Sequence, residues 1–151
     1  MTLNIGDQAP SFEGKDENGN TIKLSDYKGK KLVIYFYPKD NTPGCTVEAC
    51  NLRDNYDDLQ KQGFSILGVS IDSELSHQKF IKKFDLPFPL IADVDKTMVN
   101  QFGVWVEKTN YGKTYMGIAR TTFVIDENGK IINIIAKVDT KDHTSQIINQ
   151  L

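Results

Sequence analysis

Cysteine is scarce: the 151-residue chain has two, Cys45 and Cys50. A domain of this length can bury a core that stands without disulfide staples, so two sulfurs do not form a structural framework. Long apolar runs are missing as well. The longest, residues 32 to 37, falls far short of the ~20 residues that span a bilayer, and the opening MTLNIGDQAP lacks the basic segment and apolar core of a secretory signal. These absences predict a cytoplasmic protein without a membrane role, in a compartment where a cysteine pair is redox-active or metal-binding more often than permanently bridged. An excess of one charge is also lacking. Lys and Arg number 18 against 20 Asp and Glu, and pairs such as Lys30-Lys31 and Lys82-Lys83 form no basic stripe, which excludes a nucleic-acid surface. Histidine occurs twice, at His77 and His143, remote from the cysteines and without the paired spacing of a zinc site. Both histidines read as solvated, and neither a metal nor a cofactor is expected. Repeats, linkers and composition shifts are absent, which predicts one domain over residues 1 to 151.

What is present alternates between strand and helix patterns. Residues 11 to 24 alternate around an Asn-Gly turn and predict an N-terminal β-hairpin. KLVIYFY, 31 to 37, is the continuous β-branched and aromatic run of a strand buried on both faces, a central parallel strand. A helix over 46 to 62 follows, with Val47, Leu52, Tyr56 and Leu59 on its inner face and Gly63 as its left-handed stop. FSILGVSID, 64 to 72, is a second buried strand, and a helix then runs to Pro87. A short strand near 89 to 92, a helix over 95 to 102, a hairpin of 113 to 126 with 130 to 138, and a final helix over 140 to 151 complete the pattern. The fold class is α/β: a central mixed β-sheet flanked by helices, parallel strands first and an antiparallel hairpin last.

Both cysteines lie in YPKDNTPGCTVEACN, 37 to 51, where the first buried strand gives way to helix. In open α/β sheets ligands bind at the carboxyl ends of parallel strands, and residues 38 to 45 occupy such an end. Cys45 falls in the first turn of the helix, where free N–H groups and the helix dipole favour thiolate over thiol. Pro43 and Gly44 shape the loop that presents it. Five residues of regular helix separate two Cα atoms by about 8.6 Å, whereas a disulfide needs about 7 Å or less. Cys45 and Cys50 therefore cannot be bridged while the helix is intact. A transient bond, formed after oxidation of Cys45 and removed by an external reductant, suits a peroxide-consuming thiol with a resolving partner.

PKDNTPGC, Pro38 to Cys45, resembles the P-x-x-x-T-x-x-C motif of the peroxiredoxins, and CTVEAC is similar to their peroxiredoxin Q, or bacterioferritin comigratory protein, branch. IGDQAPSFEGKDENGNTIKLSDYKGK, GVSIDS, WVEKTNYGKTYMGIARTTFVID and DHTSQIINQL resemble that branch in kind and order, so the likeness covers nearly all of the chain. It implies a thioredoxin-like fold that reduces hydroperoxides, a thioredoxin-type dithiol as reductant, and a monomer. Carried over residue by residue, it implies Cys45 as the peroxidatic cysteine, Cys50 as the resolving one, Thr42 as a hydroxyl on the peroxide, Arg120 as the active-site guanidinium, and Pro38 and Pro43 as the walls of the pocket. The residue types suit those roles, because peroxide is small and uncharged and its reduction needs positioning and stabilisation of charge on the leaving oxygen. Glu48, one turn after Cys45, either orients Arg120 as a paired carboxylate or is an ordinary first-turn acid favoured by the dipole.

Other readings are weaker. Taken alone, a cysteine is most often a small buried apolar residue, Thr42 a helix cap and Arg120 a surface cation. GKT, 112 to 114, leads into a strand and has Glu107 where a phosphate loop needs glycine. Trp105, with Val104 and Val106, packs or lines the rim of the site. A thioredoxin-type oxidoreductase normally carries C-x-x-C, not the C-x4-C found here, and a redox-switched binding module would consume one equivalent of peroxide where an enzyme consumes many.

Overall fold

A computed structural model describes residues 2–149. Its centre is a five-stranded sheet. The middle strand is β3, Lys31–Phe36, parallel to β4, Phe64–Ser70, which in turn pairs in parallel with β5, Leu90–Ala92. On the other side of β3 the hairpin β8, Thr121–Ile125, and β9, Ile131–Ile135, runs antiparallel. Side chains of β3 alternate between two apolar layers. Leu32, Ile34 and Phe36 join Phe12, Phe102, Phe123 and Met98 on one face, while Val33, Tyr35 and Tyr37 meet Cys45, Ala49, Leu52, Phe80 and Ile147 on the other. A strand buried on both sides has no polar position to spare, which is why its sequence reads as an unbroken apolar run. The expected central mixed sheet with helices on both faces is what forms, and β1, Glu13–Lys15, with β2, Thr21–Lys23, makes the expected N-terminal hairpin.

Several local expectations are corrected. The helix expected over 46 to 62 starts earlier and breaks: α1 is Pro43–Asp54 and α2 is Tyr56–Lys61, parted at Asn55. Proline suits the first helical position because its missing N–H would have no partner there. Val47 is 41% exposed and does not share the inner face with Leu52 and Leu59; Cys45, Glu48, Ala49 and Leu52 form the buried face of α1. Gly63 does stop the helix, at φ +89°. After β4 come α3, Glu74–Phe84, and after β5 α4, Thr97–Gln101. The single strand expected over 113 to 126 is two strands in different sheets. β7, Lys113–Ile118, pairs with β6, Trp105–Asn110, as a separate hairpin, and the chain turns at Ala119 and Arg120 before entering β8. The last helix, α5, is His143–Ile148, and the end of the expected helix lies outside the described residues. Asn51 clasps α5 to α1: its Oδ1 accepts from the Thr144 N–H and hydroxyl, each at 2.9 Å, and its Nδ2 donates to the Lys141 carbonyl at 3.1 Å.

Candidate active site

The sheet register assembles the site. Tyr35 and Phe36 of β3 pair with Thr122 and Thr121 of β8, so the loop leaving β3 lies beside the residues entering β8. Cys45 and Arg120, 75 positions apart in sequence, thereby meet. The loop itself is short and pinned. Tyr37 N–H bonds the Val69 carbonyl at 3.1 Å, Asp40 N–H bonds Asp72 Oδ2 at 2.8 Å, and Asn41 turns the chain at φ +58°. Thr42 occupies the N-cap position of α1, but its hydroxyl donates to the Lys39 carbonyl at 2.8 Å and does not cap the helix. Pro43 then opens the helix, and Cys45 lies in its first turn, 1% exposed.

Arg120 is the hub. One guanidinium nitrogen donates to Cys45 Sγ at 3.3 Å and the other to Glu48 Oε1 at 2.6 Å. Burial opposes its charge, and Glu48 with Cys45 outweighs that, holding the guanidinium firmly protonated. Gly44 admits this approach, since a Cβ there would stand 3.2 Å from Arg120 Nη2. Glu48, open to two readings, stands in contact with Arg120, as the paired-carboxylate reading requires. The side chain is completely buried, and burial lifts its pKa from 4.5 to about 7 against the opposing pull of Arg120. Lys108 of β6 approaches from the rim; burial first, then Arg120, lower its pKa, while Cys45 acts the other way. Cys50 shares α1 with Cys45 and is half-buried, with both thiols free. Trp105 packs partly against the core and stacks under the Lys96 ammonium, 5.5 Å from its ring centre.

The histidines overturn the surface reading, because both are fully buried. His77 Nδ1 lies 2.7 Å from Asp40 Oδ2 and Nε2 lies 2.8 Å from the Ile91 carbonyl. Burial works against its charge, and Asp40 overcomes it, so the pKa stands above the ordinary value. Asp40 also accepts from the Tyr37 hydroxyl at 2.6 Å and the Ser76 hydroxyl at 2.8 Å. The ligand atoms of Asp40, Asp72 and His77 lie within 4.8 Å of one another, the compactness of a metal site, yet each is already engaged in these bonds or in the Ser70 bond to Asp72 at 2.7 Å. The cluster ties the loop before Thr42 to α3 and β5. His143 sits on the far side of Glu48, its Nε2 3.6 Å from Glu48 Oε2. Reading the sequence missed Lys108, Thr122 and His143 here; the spacing of a motif reports the cysteine loop and carries no signal for groups brought in by other elements.

A buried cysteine at a helix start, held by an arginine that a carboxylate steadies, defines a site for oxidation chemistry at sulfur. Comparison with known proteins agrees. The AhpC/TSA family matches residues 5–134. Peroxiredoxin Bcp of Bacillus subtilis is 49% identical over 151 residues, covering 100% of this chain and 96% of the relative. Peroxiredoxin Bcp of Escherichia coli is 45% identical over 149 residues, covering 99% and 96%. Among solved structures, a cysteine-to-serine variant of PrxQ from Xylella fastidiosa superposes with a TM-score of 0.93 at 34% identity, covering 99% of this chain and 96% of that one. A structure of the Xanthomonas campestris bacterioferritin comigratory protein, described for its alkyl peroxide reduction activity, gives 0.87 at 35% identity, covering 95% and 96%. The chain belongs to the AhpC/TSA family, in its peroxiredoxin Q, or Bcp, branch.

Proposed function

We propose that the chain is a thiol-dependent peroxidase for hydrogen peroxide and organic hydroperoxides, with Cys45 as the attacking sulfur and Cys50 as the resolving one. The bridge from Arg120 to both Cys45 and Glu48 carries this reading. The Cys45 thiolate attacks one peroxide oxygen; the S–O bond forms, the O–O bond breaks, and the departing oxygen takes a proton to leave as water or alcohol. Arg120 stabilises negative charge first on sulfur and then on the departing oxygen. The Thr42 hydroxyl, whose hydrogen is given to Lys39, keeps its lone pairs to accept the peroxide O–H. Pro38, Pro43 and Gly44 shape the approach to the sulfur.

The sulfenic acid at Cys45 is then attacked by Cys50, which releases water and leaves a disulfide. Both residues lie within α1, so at about 8.6 Å between Cα atoms the bond requires that helix to unwind locally. A dithiol reductant of the thioredoxin type returns both thiols, and the cycle runs in one monomeric unit in the cytoplasm without metal, nucleic acid or membrane. The alkyl peroxide activity named for the Xanthomonas relative supports extending the substrates to organic hydroperoxides.

The test is one equivalent of hydrogen peroxide added to the reduced protein, followed by mass mapping of the sulfur products. A Cys45–Cys50 disulfide is expected in the parent, a trappable sulfenic acid at Cys45 in Cys50→Ser, and no reaction in Cys45→Ser. Free thiols in the parent after minutes, or peroxide turnover by Cys45→Ser, would overturn the assignment.

A further inference from the structure

Glu48 is wholly buried but uses one oxygen. Oε1 receives Arg120, while Oε2 has no hydrogen-bond partner among the described residues, and His143 Nε2 stands 3.6 Å from it. The surroundings of His143 fix what it offers. Its Nδ1 lies 2.8 Å from Gln146 Oε1, whose orientation is set because that oxygen also accepts from the Asp139 N–H while Gln146 Nε2 donates to the Lys137 carbonyl. Nδ1 therefore carries a hydrogen. In the neutral ring Nε2 is then a lone pair, filled by the Thr122 hydroxyl at 2.8 Å. A carboxylate oxygen without a donor thus faces a ring nitrogen in the buried interior, an arrangement relieved by one proton between them, with the Thr122 hydroxyl turning from donor to bystander at Nε2.

The charges agree. Among the buried groups, a Cys45 thiolate, a Glu48 carboxylate and the Arg120 guanidinium sum to one net negative charge, which one proton cancels. Three further titratable groups face this set, among them Asp139, whose charge favours the protonated form of His143. Tyr35 of β3 has its pKa raised by burial and then by Glu48, so it stays neutral, and Lys108 of β6 is a screened cation at the rim. Burial raises the Glu48 pKa to about 7, and it lowers that of His143, although the Gln146 bond opposes the latter, so burial favours the neutral form of each.

We propose that His143 is a positioning residue of the peroxidase site: with Glu48 it holds one proton, whose loss draws Arg120 towards the carboxylate and away from the Cys45 sulfur. While the proton is held, Glu48 is neutral and the charge of Arg120 is left to the sulfur and the leaving oxygen. Once it is lost, the carboxylate competes for the guanidinium. The kinetic part of this inference rests on the peroxidase reading; the proton itself does not.

Two measurements test it. The first follows the Glu48 carboxyl by carbon NMR in reduced protein labelled at glutamate, assigned with Glu48→Gln, from pH 5 to 9. A midpoint near 7 that moves in His143→Gln is expected; a midpoint below 5.5, or one unmoved by the substitution, overturns the proposal. The second is the rate of Cys45 oxidation by peroxide over the same range. Above the midpoint the parent rate should fall by about two- to tenfold, and this descending limb should vanish in His143→Gln and in Glu48→Gln. A limb that persists in either variant overturns the role of the pair. Failure of the protein to react with peroxide would sink the peroxidase reading, while the NMR titration would still report the proton.

Discussion

Two buried acid and histidine pairs flank the cysteine loop, and they are built differently. Asp40 and His77 are 2.7 Å apart, and every side-chain polar atom of the pair has a partner. Glu48 and His143 are 3.6 Å apart, with one carboxyl oxygen bare. The first arrangement has no unmet demand; a fully satisfied buried network fixes one geometry, here that of residues 37 to 41. The second retains one, and an unmet demand beside a reactive group leaves a proton and a guanidinium free to shift. The lesson is that the same residue types can act as an anchor or as an adjustable contact, according to whether the last lone pair is filled.

The comparison is tested most severely by Asp40→Ala. It strands His77, the Tyr37 hydroxyl and the Ser76 hydroxyl in the interior, and removing one partner of a buried pair costs about 3–5 kcal/mol. Urea unfolding should show that loss, while the protein that stays folded still forms a sulfenic acid at Cys45. Unaltered stability would mean that this pair anchors nothing. Arg120→Met should act chiefly on rate, slowing Cys45 oxidation by about 10² to 10³ because one charge-stabilising donor is gone, while the buried Glu48 it strands lowers stability less at pH 5, where that carboxyl keeps its proton, than at pH 8. A rate close to the parent value would remove Arg120 from the mechanism.

Stability against pH separates the pairs next. With its pKa raised from 4.5 to about 7 by burial, Glu48 keeps a proton that the unfolded chain releases first. Its contribution is complete below pH 4.5 and is lost as pH rises through about 7, on the order of 3 kcal/mol in all. His77 adds in the same sense, since its folded pKa is raised, whereas the lowered pKa of His143 makes its contribution fade as pH falls. Denaturation of Glu48→Gln and parent across pH 4 to 8 should show the shallower slope in the variant; equal slopes would place the Glu48 proton elsewhere. The smallest effect is expected from Gly44→Ala. A helix gains up to about 1 kcal/mol from alanine, yet the new Cβ would meet Arg120 Nη2 at 3.2 Å, so the variant should be slightly more stable and several-fold slower. A variant as fast as the parent would show that the guanidinium has room to spare.

These contrasts explain what could be read from the chain. The run 31 to 37, the Asn-Gly hairpin and the P-x-x-x-T-x-x-C loop were legible because each is a local pattern with a local cause. His77 was not, because its burial depends on Asp40, 37 positions away, and on a carbonyl of β5; helical position alone suggests a polar face. β6 and β7 were missed as a pair because both are largely exposed and lack the apolar alternation of a half-buried sheet. Val47 was misplaced for a related reason: periodicity names a stripe, but the chain entry at Pro43 decides which side faces the sheet, and that choice buries Glu48 in place of a valine. Glu48 itself had two readings in the sequence, and only the position of Arg120 separates them.

The clasp between Asn51 and α5 bears on duration. Asn51 is the neighbour of Cys50, and its bonds to Thr144 and Lys141 hold that part of α1 to the segment around α5, so they oppose loosening of the helix around Cys50. Until it loosens a newly formed sulfenic acid waits, and each moment of waiting is a chance for a second peroxide to carry it to a sulfinic acid that ordinary thiols do not reverse. On the proposed mechanism, one carboxamide therefore lengthens the interval in which the catalyst is vulnerable to its own substrate.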